Sequence, residues 1–281
     1  MTTLITGATG AVSSALLRSL PTTDGVRLLV RDPSQAPDLP GAEVVVGDLE
    51  QPRTLGPAFD GADTVWLLTA MGPQAPHASM NAVWAARQAG VRHIVRMSAV
   101  GAGHDAPTRN GRLHALSDAE LMASGLRWTI IRPHFFMQNL FGSVNGGTLY
   151  GGLGDGRVGM IDVRDIGDFA ARVLTEPQSH EGKVYTLTGP AGISLKEAAE
   201  RLQIIYGTPV DYHALSEREA YEAMLGAGLP DWIAAVNAEY GTAYARGWGD
   251  FTTSDFPDVM GRPARSFGDF ARDYADRIRG A

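Results

Sequence analysis

Thr2-Thr3-Leu4-Ile5-Thr6-Gly7-Ala8-Thr9-Gly10-Ala11-Val12-Ser13-Ser14-Ala15-Leu16-Leu17 passes from a β-rich run through a glycine turn directly into a helical pattern. So tight a passage needs a residue free to take unusual backbone angles, which Gly7 supplies, while Gly10 keeps a β-carbon away from the helix entrance. The first amides of such a helix lack partners in their own ladder and point toward an anion. A strand, glycine turn and helix in this order form the phosphate cradle of a dinucleotide site, built here from Gly7, Thr9, Gly10, Ala11 and Val12. The other reading is an α/β turn that binds nothing. One position departs from the usual spacing: Ser13 stands where a third glycine lets helix and strand approach, and a slight displacement of the helix is expected.

Outward from this segment the alternation continues. Strands are expected at 2–6, 26–31, 43–47, 64–69, 93–98 and 128–132, and helices at 11–20, 53–59, 76–89 and 113–124, with Gly90 and Gly125 ending two of them. Short apolar strands separated by helices are βαβ units, so the fold class is α/β, a doubly wound Rossmann sheet of parallel strands. Beyond Pro133 the pattern loosens. Gly142 to Gly159 reads as a loop or hairpin and a candidate lid element. A helix follows at 163–174, then a strand at 183–188 that returns to the main sheet, and a helix at 194–206 opened by Ser194 with Glu197 three residues on. Helices are expected at 215–225 and 231–245, and a single amphipathic helix at 266–279. The organisation expected is a cofactor-binding core over 1–141 and a smaller, mainly helical substrate lobe over 142–281, interleaved with the core.

The bulk properties of the 281 residues narrow the function. With 44% hydrophobic and 20% charged residues, the composition is that of an ordinary globular protein. A net charge of −7 and the lack of clustered Lys and Arg argue against nucleic acid as a partner. The absence of cysteine removes disulfides, thiolate metal sites and a thiol nucleophile. No metal is expected, since the seven histidines form no ligand spacing. No apolar run is long enough for a membrane span and no leader pattern opens the chain, so a cytoplasmic location is expected. There is no Gly-x-Ser-x-Gly elbow for a serine hydrolase. An apolar face on a C-terminal helix is compatible with a homodimer.

Further positions follow from the strand ends. Arg31 closes strand two where the adenosine ribose would pass; an acid there favours NAD, an arginine neutralises a 2′-phosphate, and NADP(H) is therefore expected over NAD(H). Arg31 as a solvated turn residue is the alternative, and the adjacent Asp32 works against the preference. Asp48 and Leu49 are placed for adenine, and Thr69, Ala70 and Met71 for the ribose and nicotinamide. Ser98, closing strand five at the carboxyl edge of the sheet, either contacts nicotinamide or substrate or simply ends the strand.

The segments Gly7-Ala8-Thr9-Gly10, Leu29-Val30-Arg31, Gly47-Asp48-Leu49 and Val95-Arg96-Met97-Ser98 recur in order in a known group of proteins. So do Ser124-Gly125-Leu126-Arg127-Trp128-Thr129-Ile130-Ile131-Arg132-Pro133 with Asn139, Ile161-Asp162-Val163-Arg164-Asp165-Ile166, and Gly261-Arg262-Pro263 with Phe267. In these the chain resembles, over almost its whole length, the NmrA-like atypical short-chain dehydrogenases of the quinone-oxidoreductase and ergot-alkaloid-reductase type. The resemblance implies a Rossmann domain carrying NADP(H), with Pro133 beside the cofactor, and a substrate cleft formed with a small C-terminal lobe.

Ordinary short-chain dehydrogenases use a Tyr-x-x-x-Lys pair, and here His114 stands in the lysine's place with Asn110 in the tyrosine's. His114 is then either a proton donor at neutral pH, oriented by Asp118 one turn on and sharing a network with Ser117, or a ribose anchor. The resemblance makes His134, Phe135, Phe136 and Asn139 acceptor-pocket candidates, although the two phenylalanines suit a core equally. Trp232, Tyr221 and Tyr240 form an aromatic substrate wall or pack a helix pair. The activity implied is NADPH-dependent reduction of a small apolar conjugated acceptor: a quinone, an enone or an imine. The other function is a non-catalytic NADP(H)-binding redox sensor that regulates a protein partner.

Overall fold

The computed structural model describes residues 1–280. The first half runs β1 (Thr3–Ile5), α1 (Ala11–Ser19), β2 (Val26–Val30), β3 (Glu43–Val46), α2 (Gly56–Phe59), β4 (Thr64–Leu67), α3 (Ala75–Gln88), β5 (His93–Met97), α4 (Arg109–Ala123) and β6 (Arg127–Pro133). The second runs β7 (Val144–Asn145), β8 (Thr148–Gly151), α5 (Val163–Thr175), β9 (Lys183–Leu187), α6 (Leu195–Tyr206), β10 (Asp211–Ala214), α7 (Glu217–Gly226), α8 (Asp231–Ala245), α9 (Asp255–Met260), α10 (Phe267–Asp273) and α11 (Ala275–Ile278). Two compact units result: Met1–His104, Asn110–Arg132 and Val163–Thr186 in one, and Asp105–Arg109, Pro133–Asp162 and the chain from Leu187 onward in the other. The division expected at residue 141 thus falls differently: residues 133–141 belong to the second unit, and α5 with most of β9 belongs to the first.

The first unit is built on a seven-stranded sheet in the order β3-β2-β1-β4-β5-β6-β9. The pairs from β3 through β6 are parallel. β4 is buried along its whole length, as a strand covered on both faces must be, and β9 returns to the sheet beside β6 as expected. The strand order reverses between β1 and β4, which places the Gly7 turn and the Thr69 segment at the switch point where open α/β sheets bind ligands. Gly167 lets α5 meet α1 backbone to backbone: a β-carbon there would stand 2.6 Å from the Ala15 carbonyl carbon. The core of this unit includes Leu4, Phe59, Val65, Leu67, Val83, Ile94, Leu121 and Ile130.

At the far end of β5 from that switch point lies buried His93. Thr129 Oγ1 donates to the His180 carbonyl at 2.7 Å, so His93 Nε2, 2.9 Å away, is the donor to Thr129 Oγ1. Its Nδ1 is buried with no partner. Burial, with help from Arg127 and His180, pushes the His93 pKa down to about 4.

The second unit packs around Met137, Leu149, Met160, Leu202, Tyr244 and Phe270. The glycine-rich stretch resolves into a hairpin: β7 and β8 pair antiparallel, and the turn between them needs positive φ at Gly146 and Gly147. β10 adds to β8 in parallel. That strand escaped the sequence reading because Asp211, His213 and Ala214 are exposed and carry no apolar alternation. The Ser194–Glu197 capping box forms as expected at the start of α6. The helix expected over 266–279 is two helices. Tyr274 leaves helical angles, at φ −127°, and packs against Phe141 and Phe270. α9 was also unanticipated, α2 begins only at Gly56 after a 3₁₀ turn at Pro52–Thr54, and α4 begins four residues before Leu113. Among the described residues no helix is long and apolar enough to cross a membrane.

Candidate active site

Gly7 has φ +59°, and a β-carbon there would meet Leu68 Cδ2 at 2.9 Å. Its carbonyl accepts from the Gly10 amide at 2.9 Å, closing the turn, and the Gly10 carbonyl takes the Ser14 amide at 2.9 Å. Gly10 is the N-cap of α1, which has no side-chain cap and no acidic residue in its first turn. The first-turn amides of Ala11, Val12 and Ser13 therefore face an entrance that holds no competing carboxylate, and the residues fit a pyrophosphate.

Ser13 takes up the glycine position as a tie between strands. Its Oγ donates to the Thr6 carbonyl at 3.1 Å and accepts from Trp66 Nε1 at 3.0 Å, with both side chains buried. Thr6 Oγ1 in turn accepts from the Leu68 amide at 2.8 Å and reaches the Leu68 carbonyl at 2.9 Å.

Arg31 follows β2, is exposed, and makes no ion pair among the described residues. Asp32 is turned into its own loop. It accepts from the Ser34 amide at 2.9 Å and the Ser34 hydroxyl at 2.8 Å, capping the 3₁₀ turn Pro33–Gln35, and those bonds hold its pKa below the usual aspartate value. Asp32 is thus an ionised carboxylate held in its own turn. The Asp48-Leu49 segment is braced from two sides. The Asp48 amide donates to Thr54 Oγ1 at 2.9 Å, and the Leu49 carbonyl accepts from Asn81 Nδ2 at 2.8 Å. Thr69 is half-buried after β4, while Ala70 and Met71 are exposed. Pro133 closes β6 and is buried.

Beside the sheet edge the chain assembles a buried charge cluster that the sequence only half revealed. Arg96, on β5, is fully buried. Its Nε donates to Asp118 Oδ1 at 2.9 Å, its Nη1 to Ser79 Oγ at 3.1 Å, and its Nη2 lies 3.3 Å from His114 Nδ1. The other Asp118 oxygen accepts from Ser98 Oγ at 2.8 Å and from Arg132 Nη2 at 2.9 Å.

One expectation is corrected here. Asp118 does not orient His114: its oxygens serve Arg96, Ser98 and Arg132, and it is Arg96 that touches the imidazole. Ser117 donates to the Leu113 carbonyl at 3.2 Å, within its own helix. Burial, then the Arg96 guanidinium, push the His114 pKa down to about 3, which keeps the ring uncharged at pH 7. Ser98, at 2% exposure, spends its proton on Asp118 and keeps only lone pairs for any other contact.

Of the residues expected on the acceptor side, His134 and Phe135 join a ring cluster in the second unit. His134 Nδ1 accepts from the Phe135 amide at 2.8 Å. The imidazole stacks on Tyr244 with centroids 5.6 Å apart and meets Phe251 edge-on at 5.1 Å. Burial pushes its pKa down to about 4. Tyr240 and Trp248 flank Tyr244 at 5.9 and 5.4 Å, so Tyr240 belongs to this ring cluster. Trp232 and Tyr221 are not: Trp232 makes no ring contact among the described residues, and the Tyr221 hydroxyl donates to Asp231 at 2.5 Å. Phe136 is half-buried in a bridge to Ile161, and Asn139 is exposed on the 3₁₀ turn Met137–Leu140. Tyr244 was missed although it stands four residues after Tyr240 on α8, the spacing of one helix face; Trp248 lies beyond the end of that helix.

The sequence profile of a family described as NAD(P)H-binding matches residues 7–177. An NAD(P)H azoreductase of Xenophilus azovorans is 38% identical over 283 residues, covering 97% of each chain. The crystal structure of an NADPH-dependent quinone oxidoreductase from Escherichia coli, complexed with NADPH, superposes with a TM-score of 0.87 at 27% identity, over 97% of this chain and 99% of that one. The negative transcriptional regulator Nmra superposes with a TM-score of 0.81 at 14% identity, over 99% and 98%, a likeness of fold alone.

Proposed function

That the chain belongs to the NAD(P)H-binding, NmrA-like group of atypical short-chain dehydrogenases and reductases is the premise from which we propose its function. It is an NAD(P)H-dependent reductase; the finer reading is that it prefers NADPH and reduces a small apolar conjugated acceptor, a quinone, an enone or an imine. The observation that carries the reading is the Gly7–Gly10 turn opening onto the uncapped first turn of α1. Azoreductase and quinone-oxidoreductase relatives support the acceptor class.

When bound, the reduced nicotinamide supplies the hydride. The chain's part is to bind and to polarise. The amides of Ala11, Val12 and Ser13 take the pyrophosphate, Arg31 the 2′-phosphate, and the braced Asp48-Leu49 segment the adenine, with Thr69, Ala70 and Met71 along the ribose. His114, uncharged at pH 7, offers a hydrogen bond to a ribose or acceptor oxygen without surrendering a proton, as does any neutral imidazole used as an electrophile. Such a group suits acceptors whose reduced form is a stabilised anion or a neutral molecule, as with quinones and iminium ions, and the completing proton then comes from water.

The test is NADPH oxidation by the purified protein across quinones, enones, imines and azo dyes. Turnover with a conjugated acceptor, and none with simple ketones, is expected. NADPH binding with no turnover on any of them would leave a nucleotide-binding protein and end the reductase reading. For the cofactor preference, Arg31→Ala is expected to raise the NADPH dissociation constant roughly ten- to hundredfold, the worth of one charge-assisted contact, and to leave NADH binding nearly unchanged. Equal losses for the two nucleotides, measured by titration calorimetry, would remove Arg31 from the 2′-phosphate site.

A further inference from the structure

Arg96 is the one charged side chain among the largest fully buried groups of the described residues. Its guanidinium spends one N–H on Asp118, one on Ser79 and one on His114 Nδ1. A guanidinium has five donors and no acceptor, so the nitrogen facing it must present a lone pair. His114 Nδ1 is therefore unprotonated, and the single proton of the neutral ring sits on Nε2.

We propose that Arg96 is a positioning residue that fixes His114 as a neutral Nε2–H donor, by occupying Nδ1 from beneath and setting the ring plane. This rests on the reading of His114 as the polarising group of the reductase site. The charged groups facing the imidazole are Arg96 from β5, Asp118 from its own helix and Arg132 from β6. Two of these are cations and only the Asp118 carboxylate opposes them, so a proton added to the ring would meet net positive charge. Asp118 holds both arginines in place and thereby lets a cation lie under a histidine in the sheet interior. Glu120, whose own pKa burial raises, faces Arg96 and Arg87, not the ring.

A classical short-chain dehydrogenase meets its ribose and acceptor with a protonated lysine and a phenol. Here the lysine's place holds a group of no net charge whose donor is aimed by the arginine behind it. Arg96 acts only through His114 and touches neither cofactor nor acceptor in this account.

The experiment is two-bond ¹H–¹⁵N correlation NMR on histidine-labelled protein without cofactor or acceptor, with the His114 signals assigned from His114→Asn. The wild type is expected to show the Nε2–H pattern for His114 and no titration between about pH 5 and 9. In Arg96→Met the pattern should become a tautomer mixture, and the titration midpoint should rise above about 3 while staying below the ordinary histidine value near 6.5, because burial, the larger cause, remains. Turnover should fall about tenfold, the worth of one neutral hydrogen bond, with KM for acceptor little changed. Arg96→Lys, which keeps the charge but not the planar fork, should hold the depressed titration and lose part of the tautomer preference.

An Nδ1–H pattern in the wild type, a wild-type midpoint near 6.5, or unchanged His114 signals in Arg96→Met would each overturn the proposal. The wild-type spectrum decides the matter if the methionine variant does not fold. A wild-type spectrum as expected in a protein that reduces no acceptor would sink the reductase reading and leave the role of Arg96 standing.

Discussion

Asp118→Ala is expected to cost about 3–5 kcal/mol of folding stability, the penalty for stranding a buried charge whose partner has been removed. Asp118 is 2% exposed and its two oxygens receive Arg96, Ser98 and Arg132. Arg132 is partly exposed and can turn to water, whereas Arg96 is sealed in the sheet and keeps only Ser79 and the His114 lone pair. The loss therefore falls on Arg96. Urea denaturation with unchanged m-value is the measurement. A shift worth less than about 1 kcal/mol would mean that water reaches Arg96 and that the cluster is not a sealed ion pair. Asp118→Asn keeps the shape and removes the charge, so it should fall between wild type and alanine.

Gly7→Ala has the second large effect, and it falls on binding. The added β-carbon must tolerate φ +59°, a strain of about 1–2 kcal/mol, and must also displace the Leu68 side chain from 2.9 Å. Relief by rotating the turn would carry the Gly10 amide off the Gly7 carbonyl and re-aim the first turn of α1. Affinity for the nicotinamide cofactor should drop at least about tenfold. Gly90→Ala separates the causes: Gly90 also has positive φ, but nothing lies within 4 Å of its β-carbon position. That variant should lose stability without losing cofactor affinity, and an equal affinity loss in both would trace the effect of Gly7→Ala to general destabilisation.

The Rossmann half was legible because its signals are local. A β-rich run ending in Gly7 and a helix opening at Ala11 need nothing but neighbours in sequence to be understood, and β1 to β6 appear within one or two residues of the expected bounds. The site was legible only in the placing of residues along that pattern, as with exposed Arg31 directly after β2. It was not legible where roles depend on which side chains meet. His114 and Asp118 are four apart on α4, and helical spacing paired them; the side chain that intervenes comes from β5, eighteen residues upstream of His114, and no periodicity announces it. Asp32 could be weighed against Arg31 only by adjacency in sequence, while the Ser34 bonds that orient its carboxylate are a matter of turn geometry. The second unit was harder for a related reason. Its β10 is a short exposed strand held by pairing to β8, and its last helix breaks where Tyr274 finds partners in Phe141 and Phe270.

The uncharged histidines carry a consequence for life in acid. In an unfolded chain an imidazole titrates near 6.5, but in this fold His93, His114 and His134 are held down to about 4, 3 and 4. Between those limits the unfolded chain binds more protons than the native one, so unfolding takes protons up and stability rises with pH. The stabilisation is complete above about pH 6.5, drains away as pH falls toward 4, and levels off once the folded rings themselves are charged. A compartment or buffer at about pH 5 is therefore a mild denaturant for this chain, acting by mass action of the proton on rings that the fold keeps neutral.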